Sequence, residues 1–310
     1  MLISLLSLFF LSSPAWACTC GTETINAYGF GGPVLTIPAY TLPKGKLALG
    51  ASLQYNNFNQ FSSARRASLN ASRIHAHSFD SAMTNTLSAA YGITDDLDLI
   101  LSYPYRYKYN LQTTFAGVTI DEGDSIGFGD LTLLTKYRLF QSKTQISLLG
   151  GIKFPTGQTN ERNEFGLRLG TDDQPGTGSW DPLMGFAISR PYKAFSFDGN
   201  LLYRLSNQGS GDVIAGDIAS YNLAASYKFD HCTDFTLVLE MNGIWQEKTE
   251  FAGIKDDNHG GNVIYLNPGF RVNLGKIAWN MSVGFPIIND LNGFQPEAGI
   301  QLYTGLNLLI

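Results

Sequence analysis

A chain of 310 residues with a net charge of -5 has no basic excess with which to hold nucleic acid, and its hydrophobic share of 44% can build one large β domain or two ordinary ones. After the first twenty residues no segment approaches the roughly 18 consecutive apolar residues of a membrane-spanning helix, and the mean hydropathy is -0.04. This excludes a helical membrane protein but not a membrane barrel, whose alternating strands average to near zero.

Residues 1–17 form an apolar stretch ending in Ala15, Trp16 and Ala17, which predicts a signal peptide cleaved before Cys18. A basic n-region is missing apart from the chain's own amine. Cysteine at the first mature position is also what a lipidated protein carries, although Ala15 and Trp16 suit such a site poorly. Residues 18–45 are rich in Gly and Pro and show no period, so they are expected on the periplasmic side or as a plug in a barrel mouth, ahead of a barrel spanning residues 46–310.

The first predicted strand, residues 46–58, puts Leu47, Leu49, Ala51, Leu53 and Tyr55 on one face and Lys46, Ser52, Gln54 and Asn56 on the other. A polar stretch through Arg65, Arg66, His75 and His77 leads to a strand carrying Met83, Leu87, Ala89 and Tyr91. A tight turn at residues 94–96 separates it from residues 97–109, where the pattern is plainest. Leu97, Leu99, Leu101, Tyr103, Tyr105, Tyr107 and Tyr109 alternate there with Asp98, Ser102, Arg106 and Lys108. Successive strand side chains point to opposite faces. In a soluble sandwich the charged face would meet water; in a membrane barrel Leu and Tyr meet lipid and the charges meet the lumen.

One strand does not separate these readings, but the recurrence does. After an expected loop over residues 110–129, the same alternation returns at 130–139, 146–154, 180–188, 195–205, 221–229, 235–245, 264–274, 277–285 and 300–310. Short turns alternate strictly with long loops, as they do between the periplasmic and outer ends of a barrel and have no reason to do in a sandwich. Tyr91, Tyr137, Phe195, Phe197, Tyr227, Phe229, Phe235 and Trp279 cluster at the turn ends; Tyr55, Tyr107, Tyr109, Phe154, Trp180, Trp245 and Phe285 cluster at the loop ends. Those are two aromatic girdles. The fold expected is all-β: a transmembrane antiparallel up-and-down barrel of about twelve strands in a Gram-negative outer membrane.

The charged residues on the inward face are Asp98, Arg106, Lys108, Asp130, Lys136, Arg138, Lys153, Asp181, Asp198, Arg204, Lys228, Glu240 and Arg271. Facing one another across a narrow lumen, they line a polar path or form pairs that hold the barrel's shape. Catalysis of the Ser-His kind needs a histidine beside a nucleophile, and the four histidines all fall in predicted loops or turns, so no enzyme and no cofactor is expected. His75 with His77, and Cys18 with Cys20, are weak candidates for a metal; one of the two cysteines pairing with Cys232 is the alternative.

Six stretches then carry a resemblance: residues 41–46 (TLPKGK), 77–80 (HSFD), 91–97 (YGITDDL), 127–131 (GFGDL), 151–157 (GIKFPTG) and 178–182 (GSWDP). With these the sequence resembles outer-membrane proteins of the MetA-pathway phenol-degradation family. The resemblance implies a transporter-like barrel taking up small, often aromatic or hydrophobic compounds. Outer-membrane lipid and a small solute are then the expected partners. A non-conducting barrel whose loops bind a partner or metal is the alternative.

Overall fold

The computed structural model describes residues 33–72, 76–115, 118–163, 165–229 and 234–310. Twelve strands make the wall: β1 (Leu47–Asn59), β2 (Ser81–Thr94), β3 (Leu97–Phe115), β4 (Thr132–Gln141), β5 (Gln145–Lys153), β6 (Asp181–Tyr192), β7 (Phe195–Arg204), β8 (Ile218–Lys228), β9 (Asp234–Gln246), β10 (Gly261–Leu274), β11 (Ile277–Leu291) and β12 (Glu297–Leu309). Each pairs antiparallel with its neighbours in sequence, and β1 pairs with β12 from Ala48 opposite Leu309 upward, so the sheet closes on itself. Closure leaves no row of unpaired backbone groups to face hydrocarbon.

The alternation in the sequence is the alternation of the wall. Leu87, Leu148, Met184, Leu223, Leu239 and Leu306 are exposed on the outside, while Asp98, Ser147, Lys136 and Asn267 are buried within. The turn-side girdle is continuous across five strands: Phe195 contacts Phe197 and Tyr227, and contacts then run through Phe229, Phe235 and Phe270 to Trp279, with ring centroids 4.9 to 6.2 Å apart. Short hairpins close this end. The turn between β10 and β11 has only two residues, and Gly275 supplies the positive φ it needs, at 63°.

One expected loop is a strand instead. β3 continues past Tyr109 to Phe115, and the chain returns as Val118–Phe128, paired with β3 from Tyr105 opposite Phe128 to Phe115 opposite Val118. Gln112, Thr113, Asp121 and Glu122 interrupt the apolar face of this hairpin, while Leu111 and Ser125 are buried against the interior and Asn70 of the helix after β1 reaches Thr119 at 2.9 Å. The period-two apolar signal is therefore missing from it. The polar stretch after β1 likewise holds a helix, α1 (Ser63–Ala71), capped by Ser62, whose Oγ accepts from the Arg65 N–H at 3.2 Å.

Cys18, Cys20, His75, His231 and Cys232 lie outside the described residues, as do residues 1–17 and the side chain of His77. Among the described residues, no group of three or more His, Cys, Asp or Glu side chains is placed to hold a metal ion.

Candidate functional site

The interior is built in two levels. At the turn-side level, residues 33–39 are all buried inside the wall, and inward side chains capture the backbone of residues 33–44. The Glu240 carboxylate accepts from the N–H groups of Val34, Leu35 and Thr36 at 2.8 to 3.2 Å. Asn200 accepts from Ile37 at 2.8 Å and Ser189 from Ala39 at 2.9 Å. Asp98 accepts from Leu42 at 3.0 and 3.2 Å. Cations hold the carbonyls: Lys136 donates to Pro38 and Tyr40, and Arg271 to Pro33. An extended chain cannot satisfy its own amides, so each inward charge here serves as a backbone partner. Ile37, Ala39 and Leu42 also pack on an inward apolar patch that includes Ile100, Leu134, Leu149 and Leu183.

At the loop-side level, the connection over residues 154–180 folds into the barrel. Three of the stretches singled out in the sequence converge on its anchor. Asp130 accepts from the Gly157 and Thr177 N–H groups at 2.9 Å each. The Lys153 ammonium lies 2.9 Å from Asp130 and 2.8 Å from Asp181, and reaches Thr177 and Ser179 as well. Arg204 lies 3.8 Å from Asp181. A lysine shared by two buried carboxylates neutralises what either would leave uncompensated. Gly157 and Gly176 press backbone to backbone, since a Cβ on either would sit 2.6 Å from the other's Cα. Further along the connection, Lys108 pairs with Asp173 and donates to the Asp172 carbonyl at 2.8 Å, and Arg106 donates to the Pro175 carbonyl at 3.0 Å. On its far side Asp172 meets His259 at 3.3 Å.

Between this connection and the wall lies a cavity of about 80 Å³ whose lining mixes the cations Arg106, Lys108 and Arg204 with the apolar Val213, Ala215 and Ile218, Ile218 standing opposite Arg204 on the neighbouring strand. Burial of Asp130, in the link before β4, opposes ionisation, yet the Lys153 charge and the Thr177 hydrogen bonds outweigh it and hold the carboxyl below its ordinary range.

The structure thus gathers the sequence-derived charges into groups. Asp98, Lys136, Asp198, Glu240 and Arg271 sit around residues 33–42; Arg106, Lys108, Asp130, Lys153, Asp181 and Arg204 sit around the folded-in connection. Two stand apart from the lumen. Arg138 is at the turn-side rim, paired with Asp96 at 2.8 Å, and Lys228 is exposed at the end of β8. Each is so near its turn that its head group reaches solvent.

A closed barrel with an apolar outer band, two aromatic girdles and a polar interior is an outer-membrane β-barrel of the Gram-negative type. Residues 105–289 match the family described as "Putative MetA-pathway of phenol degradation". That is more than half of the chain, and the chain belongs to this family. Among solved structures, the fold is similar to a COG4313 outer membrane channel from Pseudomonas putida F1, at 18% identity and TM-score 0.62, covering 88% of this chain and 98% of that one. It is also similar to the NanC porin, at 8% identity and TM-score 0.49, covering 84% and 98%. A TodX deltaS2S3 mutant monoaromatic hydrocarbon channel matches at 8% identity and TM-score 0.47, covering 96% of each chain. No curated protein matches the sequence.

Proposed function

We propose that this chain is a channel that admits small solutes, aromatic compounds among them, across the outer membrane. The observation that carries the reading is the cavity at the loop-side level of a closed barrel, whose lining interleaves cations with apolar side chains. Such a lining suits a compact solute with an apolar body and a polar edge. The family's description, with its reference to phenol degradation, supports the same solute class. In this reading residues 33–42 plug the axial path at the turn-side level, and Arg106, Lys108 and Arg204 set selectivity above it. No catalytic role is assigned to any residue.

The test is planar-bilayer conductance of the refolded protein against an Arg106→Gln, Lys108→Gln variant. A conductance whose ion selectivity moves toward cations in the variant supports an open, cation-lined lumen. The extent of contact between the lumen and residues 33–42 favours a second reading, a barrel closed at rest, and a bilayer silent for both proteins would establish it.

A further inference from the structure

The two ends of the barrel use their surface cations differently. On the loop side they have protein partners: Lys248 pairs with Asp257 and Lys255 with Glu247, Arg162 donates to the Gly166 carbonyl, and Arg168 donates to the Thr159 carbonyl and to Ser210. At the turn end stand Lys46 where β1 begins, Lys143 between β4 and β5, Arg190 and Lys193 around the turn of β6 with β7, and Lys276 between β10 and β11, all of them exposed. Among the described residues, no carboxylate lies within ion-pair reach of any of these five. The described acidic side chains exposed at this end, Asp95 and Asp96, are engaged elsewhere: Asp96 pairs with Arg138 at 2.8 Å, and Asp95 accepts from the Lys44 N–H at 2.9 Å.

These cations stand at the edge of the hydrocarbon. The outward row of β6 is Met184, Phe186 and Ile188, all exposed, and its next member is Arg190. Lys193 lies between the exposed rings of Tyr192 and Phe195, with its Nζ 5.6 Å from the Tyr192 ring centre. Exposed Phe140 shortly precedes Lys143. Aromatic side chains on the outer face of a barrel end mark the depth of the lipid headgroups, and a long basic side chain lays its stem on apolar surface and carries its charge to that depth. Two of the turns also meet. β5 and β6 are paired as far as Gln145 opposite Ser189, and Arg190 Nη1 donates to Thr144 Oγ1 at 3.4 Å. Lys143, Arg190 and Lys193 therefore share one stretch of the rim.

We infer that this stretch of rim is a binding surface for anionic phospholipid of the periplasmic leaflet, with Arg190 taking the headgroup phosphate and Lys143 and Lys193 adding charge beside it. A guanidinium fork matches two phosphate oxygens at once. Below it, Phe186 and Ile188 meet the acyl chains. A free phosphate would leave those apolar side chains without a use, and an acidic protein docking from the periplasm would leave the outward row of β6 uncovered. Only a ligand that joins an anion to a hydrocarbon tail engages both. The inference goes beyond the channel reading and does not depend on what the lumen admits.

The test is native mass spectrometry of the full chain released from micelles that hold equal amounts of phosphatidylglycerol and phosphatidylcholine with the same acyl chains, so that only the headgroup differs. One cation near an anionic lipid surface favours it by roughly fivefold, and the parent protein is expected to retain phosphatidylglycerol over phosphatidylcholine by roughly tenfold or more, less so as salt rises. In a variant with Lys143→Gln, Arg190→Gln and Lys193→Gln the preference should fall by at least about fivefold. Arg190→Lys alone should keep part of it, and Lys248→Gln with Lys255→Gln, at the loop end, should leave it unchanged. Gel mobility before and after heating confirms that each variant is folded. Equal retention of the two lipids by the parent, or a fall of less than about twofold in the folded triple variant, overturns the inference. If the triple variant does not fold, an undiminished preference in Arg190→Gln overturns it. Displacement of the retained lipid by millimolar glycerol phosphate also overturns it, because the site would then serve the phosphate without the tail.

Discussion

If Glu240 holds the lumen segment, removing it should release that segment. In Glu240→Ala, three buried N–H donors, those of Val34, Leu35 and Thr36, lose their acceptor. A buried donor left without a partner costs about 1 to 3 kcal/mol, and the low end applies because water can occupy the space the carboxylate vacates. Three such losses make about 3 kcal/mol, which shifts the balance between a seated and an unseated segment by roughly a hundredfold. Two assays read this. In planar bilayers the open fraction should rise steeply over the parent protein. In a background with Cys18, Cys20 and Cys232 replaced by Ser, a Thr36→Cys label site, protected while Thr36 is buried, should react with a polar maleimide at a correspondingly higher rate. Unaltered conductance together with unaltered labelling would refute the reasoning, because both depend on the same four hydrogen bonds.

Further expectations concern the other level of the interior and the wall. Lys153→Met leaves Asp130 and Asp181 buried side by side without their shared cation, and loss of one member of such a group costs about 3 to 5 kcal/mol; the temperature at which the barrel loses its folded mobility on a gel should fall clearly. Gly176→Val drives a side chain into the Gly157 backbone, so the connection should undock and be cleaved by external protease while the barrel itself stays intact. The depressed pKa of Asp130 fixes a sign for pH: its contribution is complete above the ordinary carboxylate value of about 3.9 and is lost as pH falls below that. Hydrogen exchange at the Gly157 and Thr177 amides, corrected for its intrinsic pH dependence, should show protection at pH 5 that disappears toward pH 2. Leu239→Arg on the outer face should cost up to about 2 to 4 kcal/mol, depending on its depth, in detergent-to-bilayer folding titrations.

Most of the wall was legible in the sequence because each strand has lipid on one side and polar lumen on the other, so that chemistry alternates with a period of two. The hairpin of β3 with Val118–Phe128 was not, because Gln112, Thr113, Asp121 and Glu122 break the alternation that the rest of the wall carries. The lumen charges were also legible one by one, but their partners were not. Asp130, Lys153 and Asp181 lie on different segments, and only the in-turned connection brings Thr177 and Gly157 to them. The inward apolar residues Ile100 and Leu134 carried an overlooked signal. They sit on the face that should have been polar, and an open aqueous lumen gives such side chains no reason to be there. Ile37, Ala39 and Leu42 are the reason.

The two levels show why so many charges in one barrel do not by themselves make a wide pore. A carboxylate buried in a narrow lumen needs compensation, and an extended backbone can supply it as well as a cation can: Glu240 takes three amides and Asp98 takes one, while its Lys136 neighbour stands 3.8 Å away and is itself turned to two carbonyls. At the turn-side level the inserted backbone therefore stands between charges of opposite sign, whereas at the loop-side level Lys153 meets Asp130 and Asp181 directly. The turn-side arrangement also concentrates the bonds that hold residues 33–42 at a few nameable atoms.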